Sequence, residues 1–280
     1  MLLLLGEPNQ MRRTDTHLSV PRPGRLGDPE MTMLNDIRLD PRVRKAMAGL
    51  PAGGPAEMLP QVTLSSSYDE CLQWVAAMEE LMGMQNAAML AGMPDFSDIA
   101  TQKKTIAGVD GNSIDLYIEK PIGADGVRPC IVHIHGGGMA FTSTQSAGAA
   151  RWRKTLARQG LVVIAVEFRN SGGELGNHPF PAGLNDCAAA VQWVHKNRNE
   201  LNISSLIVVG ESGGGNLAVA MGVKANIEGW VDAIDGVYAM APMILGFYQS
   251  VPAELSSWRE KEGYQGTREL MRAMTRVYDP

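Results

Sequence analysis

The sequence predicts an α/β fold in which a mostly parallel β-sheet is covered by helices on both faces. After Pro94, short β-branched runs alternate with longer helical segments, which is the pattern of βαβ units. Strands are predicted at residues 104–109, 113–118, 130–135, 161–168, 206–210 and 234–240. Because functional groups of such sheets lie just past the carboxyl ends of the strands, these ends are the places to search for a site.

Three helical segments lie between the later strands, at residues 147–159, 182–199 and 214–225. In the second segment, residues at helical spacing share one apolar face: Leu184, Cys187, Ala188, Val191 and Val194. An apolar stripe of this kind indicates a helix that packs on the sheet.

The region before the sheet, residues 36–92, has a helical pattern that a Gly- and Pro-rich loop at 49–60 interrupts. Residues 68–93 predict an amphipathic helix with these apolar positions: Cys71, Leu72, Val75, Met78, Met82 and Met89. Its methionines are compatible with a flexible lid, because Met repacks readily around varied ligands. An ordinary helix that faces the core explains the same pattern. Residues 1–33, rich in Pro, Arg and Gly, predict a disordered leader.

Composition limits the class of protein and its partners. The 280 residues are 45% apolar with a net charge of −5, which excludes intrinsic disorder. No basic stripe is present, so neither nucleic acid nor an anionic membrane surface is expected as a partner. No apolar run is long enough for a membrane span, and the run at residues 1–5 is too short for a signal peptide. Three widely spaced cysteines predict reduced thiols and a cytoplasmic setting.

The first chemical motif follows the fifth predicted strand and precedes a helix. Residues 210–214 read G-E-S-G-G, which is G-x-S-x-G in the strand–turn–helix context that a nucleophilic serine requires. We expect the turn to force neighbouring backbones so close that side chains at Gly210 and Gly214 would collide. The start of the next helix adds N–H groups and a positive dipole end near Ser212. A phosphate-binding glycine turn is the alternative, although G-x-G-x-x-G is absent.

The second motif follows the third predicted strand. Residues 135–138 read H-G-G-G, and glycines in series leave backbone N–H groups unobstructed. Such donors stabilise the oxyanion of a tetrahedral intermediate. The amides of Gly137 and Gly138, with that of Gly213, supply three donors. The alternative is a plain glycine loop after a buried strand.

Together with the segment between them, the two motifs resemble the hormone-sensitive-lipase-like branch of the α/β-hydrolases. That segment runs from V-E-F-R at 166–169 through H-P-F-P-A at 178–182 to Asp186. It is similar to the Y-R-x-A-P-E, F-P-A and D stretch of this family. The resemblance is strong over residues 104–242 and loose over the preceding helices.

The resemblance implies an α/β-hydrolase fold with an N-terminal helical cap at residues 34–100 and a core at residues 101–280. It also implies Ser212 as the nucleophile and Gly137, Gly138 and Gly213 as the oxyanion hole. In this family the residues at Arg169 and Asp186 belong to the scaffold. No metal or organic cofactor is implied, and the expected partner is a small-molecule ester of small to medium acyl size.

The sequence departs from the family in the residues that complete a triad. In the family the acid and then the histidine follow the serine along the chain. Here all five histidines precede Ser212: His17, His133, His135, His178 and His195. Asp232, Asp235 and Asp279 follow Ser212, but they are expected to be loop, helix-end or surface charges. The last strands of the family fold, which carry the acid and the base, have no counterpart in these residues.

Two interpretations of this departure stay open. The chain is the N-terminal part of an esterase, or it is a protein that keeps the pocket and binds a small molecule without hydrolysing it. Amide cleavage uses the same apparatus and is a third, weaker possibility. In either case the sixth strand is expected to be an unpaired apolar edge, through which the chain associates with itself.

Overall fold

The computed structural model describes residues 28, 31–48, 58–244 and 268–280. Its strands, in chain order, are β1 (Ile99–Ala107), β2 (Ser113–Pro121), β3 (Arg128–Ile134), β4 (Val162–Glu167), β5 (Ile203–Glu211) and β6 (Gly236–Met240). Its helices are α1 (Pro41–Ala46), α2 (Tyr68–Leu90), α3 (Ala147–Arg158), α4 (Ala182–Lys196), α5 (Gly213–Glu228) and α6 (Arg268–Tyr278). A 3₁₀ turn, Val231–Ala233, precedes β6.

The six strands form one sheet in the order β1-β2-β4-β3-β5-β6. Strands β3, β4, β5 and β6 are mutually parallel, whereas β2 is antiparallel to both β1 and β4. The prediction of a mostly parallel sheet is therefore confirmed. Strands β1 and β2 depart from the βαβ pattern because the five residues that join them are too few for a crossover, so the two strands form a hairpin.

The parallel strands lie at the centre of the molecule. In β4 every residue from Val162 to Val166 is buried, which is the continuous apolar run expected of a strand covered on both faces. Helices α4 and α5 contribute to the same core through side chains such as Val191 and Leu217. This packing fixes the carboxyl ends of β3 and β5, which carry the two predicted motifs.

Helix α2 begins at a capping box, in which Ser67 and Glu70 satisfy each other's backbone amides. Its buried residues include the predicted Cys71, Val75 and Met78, and also Trp74, which was not among the predicted positions. The prediction is wrong for Met89, which is 53% exposed. All four buried residues lie in the first half of the helix, and Met89 lies beyond them.

A second, smaller apolar cluster lies between α2 and α6. It joins Val75 and Met78 to Met274 and Val277, and it includes Phe141 from the loop after the glycine motif. Met274 covers Gly138 so closely that a Cβ atom on this glycine would lie 2.1 Å from its sulfur. Both helices therefore pack directly on the segment predicted to hold an oxyanion.

Strand β6 pairs with β5 on one side and with no other strand in the described part of the chain. Its Val237 and Tyr238 are exposed, so association through this edge stays a prediction.

None of the described helices is long and apolar enough to cross a membrane. All three cysteines are free and buried. Most of the predicted leader, the greater part of the predicted 49–60 loop and residues 260–267 lie outside the described residues.

Candidate active site

Ser212 lies at the sharp turn between β5 and α5. Its φ of 52° is in the left-handed region, which a side chain other than glycine adopts only when the surroundings impose it. Its amide donates to the carbonyl of Met240 at 3.0 Å, and its own carbonyl accepts from the amides of Asn216 at 3.0 Å and Met243 at 2.9 Å. These bonds hold the serine in a strained, half-buried position at the edge of the sheet.

The glycines on either side of Ser212 are required by close backbone contacts. A Cβ atom on Gly210 would lie 2.0 Å from the carbonyl oxygen of Gly214. A Cβ atom on Gly214 would lie 2.2 Å from the carbonyl oxygen of Ile134, at the end of β3. The steric prediction for these two glycines is confirmed, and the second contact ties the serine turn to the start of the H-G-G-G loop.

The two predicted motifs adjoin each other. A Cβ atom on Gly213 would lie 2.6 Å from the amide nitrogen of Gly138 and 2.5 Å from that of Met139. Gly137 and Gly138 have φ values of 90° and 61°, which glycine adopts without strain. Among the described residues, the amides of Gly137, Gly138 and Gly213 have no hydrogen-bond acceptor. The described part of the protein thus makes no use of these three N–H groups as donors.

The H-G-G-G loop is held from outside by three residues that sequence reasoning missed. The amide and hydroxyl of Ser171 both donate to the carbonyl of Met139, at 3.0 Å and 3.1 Å. The side-chain amide of Asn170 donates to the carbonyl of Thr142 at 2.6 Å. The carboxylate of Glu79, on α2, accepts from the amide of Thr142 at 2.6 Å. For Glu79 no sequence signal exists, because it lies 63 residues before its partner.

The two histidines at the end of β3, His133 and His135, are buried. The fully buried ring of His135 stacks on Phe168 at 4.3 Å, and its Nδ1 lies 2.8 Å from the carbonyl oxygen of Gly136. Burial lowers the pKa of His135 to about 4 and that of His133, inside β3, to about 3. No described side chain forms a hydrogen bond with the hydroxyl of Ser212.

The predicted scaffold pair is present beside the site. Arg169 donates from Nε and Nη2 to the two oxygens of buried Asp186, each at 2.9 Å, and its backbone amide donates to the same carboxylate. Asp186 raises the pKa of Arg169, since it stabilises the charged form. The pair anchors the loop after β4, which carries Asn170 and Ser171. The acids after Ser212 lie elsewhere: Asp235, for example, accepts from the amide of Leu206.

A cavity of about 1120 Å³ opens beside the H-G-G-G loop, between this loop, α2 and α3. Its walls include Gly136, Gly137 and Phe141, and two carboxylates from the carboxyl ends of β4 and β5, Glu167 and Glu211. Burial raises the pKa of both carboxyls, although hydrogen bonds from Thr144 and Gly136 oppose the shift. Within the described residues, no group of three or more His, Cys, Asp or Glu side chains could hold a metal ion.

The serine turn and the glycine loop face each other at the carboxyl end of a mostly parallel sheet. This arrangement defines the class of the protein as an α/β-hydrolase. Comparison with known proteins agrees. Residues 131–280, more than half of the chain, match the family model described as the alpha/beta hydrolase fold. The solved structure of brefeldin A esterase, a bacterial homologue of human hormone-sensitive lipase, superposes with a TM-score of 0.84 at 41% identity. That superposition covers 92% of this chain and 73% of the esterase chain.

Two curated relatives support the same family assignment. A carboxylesterase of Mycobacterium tuberculosis is 32% identical over 135 residues, or 47% of this chain and 40% of the esterase. The hormone-sensitive lipase of Mus musculus is 28% identical over 156 residues, or 55% of this chain and 20% of the lipase. The chain therefore belongs to the α/β-hydrolase fold family, in its hormone-sensitive-lipase-like branch. It spans less than half the length of the curated relatives it matches.

Proposed function

We infer that this site hydrolyses carboxylic esters of small to medium acyl size through an acyl-serine. The observation that carries the proposal is the contact of Gly213 with Gly138 and Met139. This contact brings the first turn of α5, with Ser212 at its N-cap, against a loop in which the amides of Gly137 and Gly138 have no acceptor among the described residues. The esterases among the related proteins support the same reaction.

In the proposed reaction the Oγ atom of Ser212 forms a bond to the ester carbonyl carbon. The carbonyl oxygen becomes an oxyanion, which the amides of Gly137, Gly138 and Gly213 stabilise by roughly 3 kcal/mol each. The C–O bond to the alcohol then breaks, the alcohol leaves with a proton, and water releases the acid from the serine by the same route. The region at residues 34–100 is proposed to act as the cap, because α2 forms one wall of the cavity.

The proton of the Ser212 hydroxyl needs an acceptor that the described residues do not provide. No histidine follows Ser212 in the 280 residues, and the buried rings of His133 and His135 form no hydrogen bond with its hydroxyl. Without a base, we expect these residues alone to retain only the part of catalysis due to the oxyanion hole. In serine proteases that part amounts to roughly 10³–10⁴-fold over water.

The test is hydrolysis of p-nitrophenyl butyrate by the chain and by Ser212→Ala, with added imidazole as an external base. After subtraction of the hydrolysis that imidazole alone causes, we expect a slow rate that rises with imidazole and disappears in Ser212→Ala. Ser204→Ala is the matched control, because Ser204 is an exposed serine at the opposite end of β5. Equal rates for the chain and Ser212→Ala at every imidazole concentration would contradict the proposal.

A binding protein without turnover is the second candidate function. It is favoured by one observation: the Ser212 hydroxyl has no hydrogen-bond partner in the described part of the chain, although the adjoining cavity is large. Ester or acid binding with no Ser212-dependent turnover, with and without imidazole, would support this candidate.

A further inference from the structure

The cavity beside the H-G-G-G loop is acidic. Five glutamates are among the residues that line it: Glu79, Glu80, Glu167, Glu174 and Glu211. No lysine or arginine is among its described lining residues. A cavity with low-dielectric walls and charges of one sign raises the local concentration of ligands of the other sign.

Within this cavity, His135 presents an unpaired acceptor. Its Nδ1 lies 2.8 Å from the carbonyl oxygen of Gly136, and a carbonyl can only accept, so Nδ1 carries the proton. The ring is neutral near pH 7 because burial lowers its pKa to about 4. Its Nε2 is therefore a lone-pair acceptor, and this buried atom has no hydrogen-bond partner among the described residues.

The group that faces Nε2 is also an acceptor. Oε1 of Glu167 lies 3.8 Å from it, which is too long for a direct hydrogen bond. The same carboxylate accepts from the amide and hydroxyl of Thr144, at 3.0 Å and 2.7 Å. Two acceptors thus face each other, and none of the described residues places a donor between them.

The nearby buried cation, Arg153, is already hydrogen-bonded to other groups. Arg153, which acts electrostatically on Glu167, pairs with Glu119 through Nη2 at 3.1 Å and Nε at 3.2 Å. It also donates to the carbonyl of Thr144. Each guanidinium nitrogen of Arg153 thus already donates to another group, and none of them is hydrogen-bonded to His135 or Glu167 among the described residues.

We propose that this cavity takes esters that carry a protonated amine, whose N–H is donated to Nε2 of His135 while its charge faces Glu167. The proposal rests on the proposed function, since it names the substrate class of the same site. Trp152 also lines the cavity and is 39% exposed, so its indole face can receive the alkyl groups of an organic cation. Anionic esters are excluded by the same carboxylates.

The first test compares three acetates of similar shape: 2-(dimethylamino)ethyl acetate, acetylcholine and 3,3-dimethylbutyl acetate, the first of which has an N–H in place of one methyl group. At pH 7 the first is a cation with an N–H, the second is a cation without one and the third is neutral. Binding is measured by calorimetry on Ser212→Ala, which does not consume the esters. We expect the amine to bind about tenfold tighter than the neutral ester, since a charged hydrogen bond contributes about that much, with acetylcholine between them. Equal affinities, no binding, or acetylcholine binding tightest would overturn the proposal.

The second test is Glu167→Gln in the Ser212→Ala background. Glutamine keeps an acceptor for Thr144 but removes the charge, so the preference for the amine over the neutral ester should fall about tenfold. The affinity for 3,3-dimethylbutyl acetate should change less than twofold. Asp232→Asn is the matched control, because Asp232 is an exposed carboxylate in the 3₁₀ turn before β6. An unchanged preference in a folded Glu167→Gln protein contradicts the proposal, and if that variant does not fold, the three-ester comparison decides alone.

These measurements separate the two proposals. Preferential amine binding without Ser212-dependent hydrolysis would leave a cationic ligand site and remove the esterase function. Ser212-dependent hydrolysis of all three esters with equal affinity would leave the esterase function and remove the amine preference.

Discussion

The carboxylate of Glu79, on α2, accepts a hydrogen bond from the backbone amide of Thr142, 2.6 Å away, just after the H-G-G-G loop. Its second oxygen accepts from the amide of Glu174 at 2.7 Å. Thr142 has a φ of 71°, which a threonine adopts only where its surroundings impose it. One side chain of the helical region thus holds the loop that carries the proposed oxyanion donors.

Glu79→Gln is the first test of this relationship. Glutamine has one acceptor oxygen for two amide donors, so one amide loses its partner and the free energy of unfolding should fall by about 1–3 kcal/mol. We expect the Ser212-dependent kcat to fall more than tenfold with little change in KM, because the loop shifts while the cavity remains. Gln73→Ala, an exposed position on the same helix, is the control. A normal kcat in a destabilised Glu79→Gln would mean that the carboxylate is only structural.

Gly214→Ala tests the packing of the serine turn. The added Cβ atom would meet the carbonyl oxygen of Ile134 at 2.2 Å, so the variant should lose about 3 kcal/mol of stability together with activity. The matched control is Gly222→Ala in the same helix, where the nearest atom to the new Cβ is 3.5 Å away. That change should stabilise the protein by about 0.5–1 kcal/mol, because alanine is the better helix former. Urea denaturation of both variants is the measurement, and equal effects would contradict the geometry of the turn.

The buried ion pair between Arg153 and Glu119 holds α3 against β2. Arg153→Met leaves an unpaired buried carboxylate, so we expect a loss of about 3–5 kcal/mol. Glu119→Leu should cost a similar amount, whereas the double variant should cost clearly less than the sum. A double-mutant cycle by chemical denaturation measures the coupling. Strictly additive losses would show that the pair is not coupled.

Stability should fall on acidification below pH 6.5. Burial lowers the pKa of His133 to about 3 and of His135 to about 4, so the unfolded chain binds more protons than the folded one below pH 6.5. Below pH 6.5 each histidine therefore lowers the free energy of unfolding by about 1.4 kcal/mol for every unit by which the pH falls. This contribution to stability is fully present above pH 6.5. The raised pKa values of Glu167 and Glu211 act in the opposite direction, since they favour the folded state as the pH falls toward 4.5.

His133→Leu isolates one of these contributions. Both ring nitrogens of His133 are buried without a partner among the described residues, so an apolar side chain of similar size should be tolerated at pH 7. Between pH 6.5 and 4 the free energy of unfolding of the variant should fall less steeply with falling pH, by about the contribution of one histidine. Urea midpoints measured across this range test the expectation. A slope that equals the unsubstituted one would show that His133 titrates normally in the folded state.

The parts of the fold that sequence predicted are those set by local pattern. Gly210 and Gly214 mark the serine turn because only glycine fits there, and the buried run of β4 identifies a central strand. Strand β1 begins at Ile99, five residues before the predicted start, because its polar, exposed side chains show no apolar alternation. Backbone pairing with β2 makes the whole segment a strand, from Ile99 opposite Pro121 to Ala107 opposite Ser113.

The surroundings of the site could not be predicted in the same way. Glu79 and Glu167 are separated in sequence from the residues they contact, and nothing local distinguishes a glutamate that bonds a loop from one on a solvated helix face. Their roles arise from burial and from contacts that only the packed fold creates.

The most direct measurement is the crystal structure of the chain after complete reaction with a fluorophosphonate, whose P–F bond breaks as phosphorus bonds to a serine oxygen. We expect phosphorus on Ser212, with the phosphonyl oxygen about 2.7–3.1 Å from the amides of Gly137, Gly138 and Gly213. Phosphorus on another residue, or a phosphonyl oxygen that faces away from these amides, would contradict it.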